Sequence, residues 1–225
     1  MKLLAVDTAL GACSAAVLDG ETTLAHAFET MERGHAERLA PMVQNVMSSA
    51  GIGFEALGRL AVTIGPGTFT GQRVGYAFMR GLRLALHLPL VGITTLSAMA
   101  HAAIAETGVG AAAVVHDAKR DEVYFTLVTM ERTVIPDGLV WFGEAVRMIL
   151  EFGNNSGTRL SVAGTAARQA AGVLQPQGGE IVVSEIAAPD ALWVARLALI
   201  APEPTAVPRP LYLRAPDARL PATTP

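Results

Sequence analysis

One cysteine, few aromatic residues and little charge are the chain's most informative shortages. A single cysteine, Cys13, leaves no internal disulfide and no zinc site built from several thiolates, and such usage fits a reducing, cytoplasmic setting. Charged residues make up 16% and hydrophobic ones 51%, ample for a core and low for a protein that lives by itself in water. A net charge of −3 supplies no overall basic field, which argues against autonomous nucleic-acid binding. No uninterrupted apolar run approaches the roughly 20 residues that span a bilayer. The opening Met1-Lys2 runs into LLAVD too soon for a signal-peptide apolar region. Neither a Gly-Lys-Ser/Thr phosphate loop nor the dinucleotide glycine spacing is present, since the candidate glycines stand at 65, 67 and 71.

What is present is organised around residues 60–88, LAVTIGPGTFTGQRVGYAFMRGLRLALHL. An apolar run over 60–64 predicts a buried strand, broken by Gly65-Pro66-Gly67, with a helix from about Thr70. Thr68 and Thr70 are both placed to cap that helix. Strand, glycine turn and helix start together suit an anion, with Asp7, Gly65, Gly67, Thr68 and Gly71 as the candidate phosphate-loop residues; a purely structural tight turn accounts equally for the pattern. On the helix, Arg73, Tyr76, Arg80 and Arg83 share one narrow polar sector, and a solvated face is their simplest reading. The rest of the circumference is apolar or small, including Val74, Phe78, Met79 and Leu82, so it needs cover on more than one side.

In chain order, three strands open the sequence over 2–6, 14–18 and 22–28, with Asp19-Gly20 as a hairpin turn. A helix over 34–50 carries Leu39, Met42, Val43, Val46, Met47 and Ala50 in a stripe roughly 140° wide. A short strand (90–93) and a helix (95–105) close the first half. After Gly108-Val109-Gly110 the order restarts, with strands at 111–115, 123–130 and 139–142, the last reached through Pro136-Asp137-Gly138 read as a turn. Helices over 143–152, near 166 and over 189–200 alternate with strands at 160–163 and 181–183. The repeated order predicts an internal duplication of about 100 residues per half. Two such lobes, each with three antiparallel strands and an acidic first turn, resemble the plan of the actin-like superfamily, which implies an α/β architecture of two tandem lobes, 1–106 and 107–201, each a mixed sheet with flanking helices, followed by a tail, 202–225. That tail holds seven of the thirteen prolines and should be extended, docking through Leu211-Tyr212-Leu213. Asp7 caps its own turn or serves as an acid in the cleft; Cys13 reads as a small buried hydrophobe; His35 reads as a structural residue at a helix start.

The motifs narrow this plan. GPGTFTGQRVG resembles the GPGSFTGLRIG signature of the bacterial TsaB (YeaZ) family, and VDTA, HAERLAPMV, DAKRDEVYF and PLYLR match further family segments. Thr68, Gln72 and Asp121 depart from the pattern. The resemblance implies a non-catalytic subunit in threonylcarbamoyladenosine formation on tRNA. It would work beside a TsaD-type catalytic subunit and then a TsaE-type ATPase, with a homodimer possible when the chain is alone. It implies no cofactor, no metal and no catalytic residues here. Thr95 and Met99 fall where the catalytic partner has a metal-binding histidine pair, and Asp117-Ala118-Lys119-Arg120 falls where it has a glycine phosphate turn. A small-molecule kinase and a metallopeptidase are the alternatives. The partner interface implied by the family lies on the first two helices, at His35, Leu39, Met42, Val46, Met47, Val74, Phe78, Met79 and Leu82. On that expectation a charge at the stripe edges, Met42 or Met47, spares the fold and breaks the assembly.

Overall fold

The structure, a computed structural model, describes residues 1–214. Its first half comprises strands β1 (Lys2–Asp7), β2 (Ala12–Asp19), β3 (Thr22–Thr30), β4 (Arg59–Thr63) and β5 (Leu90–Ile93) with helices α1 (His35–Ser49), α2 (Phe69–Leu86) and α3 (Thr95–Thr107). The second half comprises β6 (Ala111–Asp117), β7 (Glu122–Thr129), β8 (Thr133–Trp141), β9 (Leu160–Ala163) and β10 (Ile181–Val183), with α4 (Phe142–Ser156), α5 (Ala167–Leu174) and α6 (Ala191–Ile200).

The two sheets have one plan. The first runs β3-β2-β1-β4-β5, the second β8-β7-β6-β9-β10. In each, the first three strands are antiparallel and the last two join the first in parallel. This is the duplicated α/β architecture expected from the order of elements. One segment differs: the strand expected at 139–142 is the longer β8, which runs straight through Pro136-Asp137-Gly138. That turn-like tripeptide is tolerated because β8 is an edge strand with irregular register, where a missing N–H breaks no ladder.

Strand alternation gives every sheet two faces to cover. Leu4, Val6 and Leu60 face α1 and α2, whereas Leu3, Ala5, Ala16 and Ala61 face the opposite way, towards α6. In the second sheet Ala111, Ala113 and Val115 face α4 and α5, while Ala112 and Val114 face α3. Each half therefore sends its last helix to the other half's sheet. Both travelling helices are apolar on most of their surface, as a doubly covered helix must be. Alanines on both sides of the α6 seam, Ala5, Ala16 and Ala61 against Ala191, Ala195 and Ala198, let helix and sheet approach closely. A boundary drawn at 106/107 thus divides the chain order, but the packing crosses it in both directions.

Residues 202–214 form neither helix nor strand and dock on the first half. Leu211 N donates to Ile64 O at 2.6 Å, Tyr76 Oη donates to Pro208 O, and Pro208 lies against Gly92. The remainder of the expected tail, 215–225, lies outside the described residues. No helix among the described residues is long and apolar enough to cross a membrane.

The wide stripe of α1 finds its cover inside the chain. Leu39, Met42, Val43, Val46 and Met47 are each at most 3% exposed and share one core with the first sheet, α2 and the connecting segment at Ile52, Phe54 and Leu57. Met79 of α2 is in the same core. This corrects the expected interface: Leu39, Met42, Val46, Met47 and Met79 are not available to a partner, because their own lobe encloses them. Met42→Glu or Met47→Glu should accordingly destabilise the lobe itself, by about 3 kcal/mol or more for an unpartnered buried carboxylate. Thermal unfolding followed by circular dichroism should show a melting temperature lower by about 6–12 °C.

Candidate functional site

A concavity of about 1210 Å³ lies between the halves. Its walls include the β1–β2 turn at Leu10 and Gly11, the start of α1 at Gly34–Glu37, the start of α2 at Gly67–Gly71, and the β6–β7 turn at His116–Lys119. Two helix N-termini therefore open on one cleft, a geometry that directs unpaired N–H groups inward.

The glycine corner is explained first by packing. A Cβ on Gly67 would lie 2.3 Å from Ala9 O, and one on Gly71 would lie 2.2 Å from Thr8 O. Thr68 N donates to Ala9 O at 2.8 Å; Thr8 Oγ1 donates to Gly71 O at 2.7 Å and accepts from Gly75 N at 2.9 Å. The corner and the first turn of α2 are thus clamped on the β1–β2 turn by backbone contacts that only glycine permits. Thr68 caps α2, accepting from Gly71 N at 3.1 Å; Thr70 forms no such bond. Gly65 is buried, with a positive φ, beneath the Gln72 amide and Leu211 O of the tail. Gln72, an unexpected amide on an apolar helix, is buried at this polar corner. Of the candidate phosphate-loop residues, Gly67, Thr68 and Gly71 reach the cleft wall; Asp7 and Gly65 do not line it.

Asp7 lies below the cleft, fully buried. Its Oδ1 accepts from Thr63 Oγ1 at 2.5 Å and from Ala9 N at 3.1 Å, the turn-capping bond read from the sequence, while Oδ2 has no partner among the described residues. Burial pushes this carboxyl up to about 7, with the Thr63 and Ala9 bonds pulling the other way. Cys13 is also buried, its Sγ 3.9 Å from Met42 Sδ, and burial pushes the thiol up to about 11, which leaves it unreactive. His35 sits 3.0 Å through Nε2 from Leu10 O, tying the start of α1 to the β1–β2 turn.

On the opposite wall, His116 is buried and burial lowers it to about 4, so the ring is neutral near pH 7. The turn after it is held by Asp117, which accepts from Lys119 N and Lys119 Nζ, both at 2.8 Å; these bonds hold its carboxyl below the ordinary range. Lys119, Arg120 and Asp121 all adopt left-handed backbone, with φ of 68°, 60° and 60°. Three consecutive non-glycine residues there carry strain that glycine would avoid. Asp117 thus occupies the Lys119 N–H within the turn itself. Thr95 and Met99 are fully buried on α3, with Met99 in the core against the second sheet. Among the described residues no group of three or more His, Cys, Asp or Glu is arranged to hold a metal ion.

Sequence reasoning did not find the residues that anchor α6. Asp190 Oδ1 accepts from Leu192 N at 2.8 Å and lies 2.7 Å from His26 Nε2 on β3; Ser14 Oγ of β2 accepts from Ala191 N at 2.8 Å. At the other end Arg59 Nη1 donates to Ala198 O and Ala201 O at 2.8 and 3.0 Å. The available signals were Asp190 as a helix cap and Arg59 as a lone charge opening an apolar run.

A family model described as TsaD, tRNA N6-adenosine threonylcarbamoyltransferase, matches residues 24–177. The tRNA threonylcarbamoyladenosine biosynthesis protein TsaB of Escherichia coli is 36% identical over 151 residues, 67% of this chain and 63% of that protein. The chain belongs to the TsaB (YeaZ) family. YeaZ from Pseudomonas aeruginosa superposes with a TM-score of 0.72 at 28% identity, over 88% of this chain and 90% of that one. A ROK hexokinase from Thermus thermophilus, at 16% identity and a TM-score of 0.52 over 88% and 98% of the two chains, shares the fold alone. The chain therefore has the fold of that hexokinase, with a cleft whose glycines and buried acid are engaged by the protein's own groups.

Two measurements test this site. Between about pH 4 and 7 the folded chain keeps a proton on Asp7 that the unfolded chain releases, so this group removes stability as pH rises. His116 acts oppositely, adding stability as pH rises from about 4 to about 6.5. Comparing wild type with Asp7→Asn isolates the first effect: the variant should gain up to about 4 kcal/mol relative to wild type across that window, read from denaturant melts at each pH. In the strained turn, Asp121→Gly should raise stability by about 0.5 kcal/mol net of glycine's chain entropy, whereas Asp121→Ala should lower it.

Proposed function

We propose that the chain is a non-catalytic subunit that docks a TsaD-type catalytic subunit in the transfer of threonylcarbamoyl to the adenosine next to the tRNA anticodon, a TsaE-type ATPase joining later. The family assignment supports the process. The observation that carries the docking role is the outer surface of α2. At 100° per residue, Thr70, Val74, Ala77, Phe78, Gly81 and Ala85 fall in one sector about 100° wide. Thr70, Ala77, Gly81 and Ala85 are exposed, and Val74 and Phe78 are half-buried shoulders on the core. Small residues flanked by apolar shoulders let a second helix approach to about 8–10 Å. Of the expected interface, Val74 and Phe78 lie on this face, while Leu82 of α2 and His35 at the start of α1 are half-buried outside it. The turn at 117–121, closed on itself, favours a subunit over a kinase.

The test is co-purification of the full chain with the catalytic subunit, with and without Ala77→Glu. A carboxylate in that seam should leave the circular dichroism melt unchanged and weaken association by about a hundredfold or more, abolishing threonylcarbamoylation of tRNA in the reconstituted system. Unchanged co-purification moves the interface off α2, and ATP turnover by the chain alone supports the kinase reading instead.

A further inference from the structure

A second face of α2 is left unused by this docking. Phe69, Arg73, Tyr76, Arg80 and Arg83 fall within about 80° of one another on the helix, outside the small-residue sector. The helix carries three arginines and no acid, on a chain whose net charge is −3. Arg73, Arg80 and Arg83 have no carboxylate within ion-pair distance among the described residues. The tail completes the face. Tyr212 sits 6.4 Å from Phe69, centroid to centroid, and its hydroxyl accepts from Arg73 Nε at 3.2 Å. The Arg73 guanidinium lies 3.3 Å from the Phe69 centroid and 5.8 Å from that of Tyr212; Arg80 lies 5.8 Å from the Tyr76 ring. Arg209, on the tail between the Pro208 and Leu211 anchors, is exposed and adds a further cation.

Phe69 is 60% exposed and Tyr212 48%. One face of Phe69 is backed by the guanidinium, and the exposure leaves the other open. An open aromatic face backed by a cation accepts a planar partner, and a row of unpaired arginines accepts phosphates. A protein surface would have to supply an acid for each arginine or leave it desolvated and unpaired, whereas a nucleic-acid strand supplies phosphates continuously.

We infer that the Phe69–Arg73–Tyr212 stack and the adjoining Arg80 and Arg83 form a contact surface for an unpaired segment of RNA, one base stacking on the aromatic platform and the flanking phosphates lying along the arginines. The inference rests on the reading of the chain as a subunit acting on tRNA, and it assigns to this chain a direct part in holding the RNA. The charge of the whole chain opposes tight binding by the isolated subunit, so the surface acts as a secondary grip beside the partner.

The probe is a fluorescein-labelled RNA hairpin with an unpaired loop, compared with a fully paired RNA duplex of the same length. Fluorescence anisotropy is measured on the full chain and on its assembly with the catalytic subunit. Phe69→Ala and Tyr212→Ala should weaken hairpin binding by about 5- to 100-fold and leave duplex binding nearly unchanged. Arg73→Lys, which keeps the charge and loses the planar stack, should behave the same way. Arg80→Ala and Arg83→Ala should weaken both probes and lower the salt dependence by about one counterion each. Co-purification with the catalytic subunit should persist in every variant. Hairpin affinity equal to wild type in the stack variants overturns the inference. So does lost co-purification with retained RNA binding, which would make this ridge a protein-docking face. If the wild-type chain does not co-purify at all, the docking role fails on its own, and anisotropy of the isolated chain still decides the ridge.

Discussion

The exchange of terminal helices between the halves is the constraint on which the rest of the structure depends. The seam of α6 on the first sheet is lined by alanines, and its ends are tied by Ser14, His26 and Arg59. The guanidinium of Arg59 sits where the last carbonyls of α6 leave partial negative charge, so one buried cation both satisfies those carbonyls and fixes the helix end. With α3 on the second sheet and α6 on the first, neither half has a complete core of its own. The two walls of the cleft are therefore set relative to each other by the hydrophobic packing of both halves, and not by the loops that line it.

That fixed frame explains how the first loop is used. A loop that cradles a phosphate must leave backbone donors free. Here Ala9 O takes the N–H of Thr68, the Thr8 hydroxyl bridges Gly71 O and Gly75 N, and the glycines at 67 and 71 bring α2 into contact with the turn. Glycine serves close approach between two backbones, a role that leaves the same sequence mark as close approach to a phosphate. Asp7 follows the same logic: two donors hold one oxygen, burial raises the carboxyl, and the group spends acidic pH protonated inside the lobe.

Local chemistry was legible in the sequence, and tertiary choice was not. The Asp19-Gly20 hairpin and the Thr68 cap follow from residues adjacent in the chain, and both form. Pro136-Asp137-Gly138 reads as a turn because each residue favours one, yet the edge position of β8 with its irregular register absorbs all three. The α1 stripe, roughly 140° wide, needs more cover than the sheet alone gives it. What sequence could not show is that α2 and the segment carrying Ile52, Phe54 and Leu57 close over it, since an apolar residue carries no mark of which surface it meets. For α6 the obstacle was different: a helix apolar nearly all round has no periodic face, so nothing in its pattern names the sheet it joins.

These facts converge on α2, whose circumference divides into three. Gly71, Gln72, Gly75 and Met79 face inward, and three of the four are small or polar because the surface beneath them includes the backbone of the first loop. The small-residue sector stands open on one side, and the arginine sector lies on the other, beside the tail. The tail is what separates the last two. By anchoring Leu211 at Ile64 and Pro208 at Tyr76, it lies along the arginine side, leaving the small-residue sector uncovered. A helix docking on the small residues and a strand of charge lying on the arginines would therefore meet different surfaces. One helix can face a core and two partners at once only because its glycines and alanines keep the intervening shoulders low.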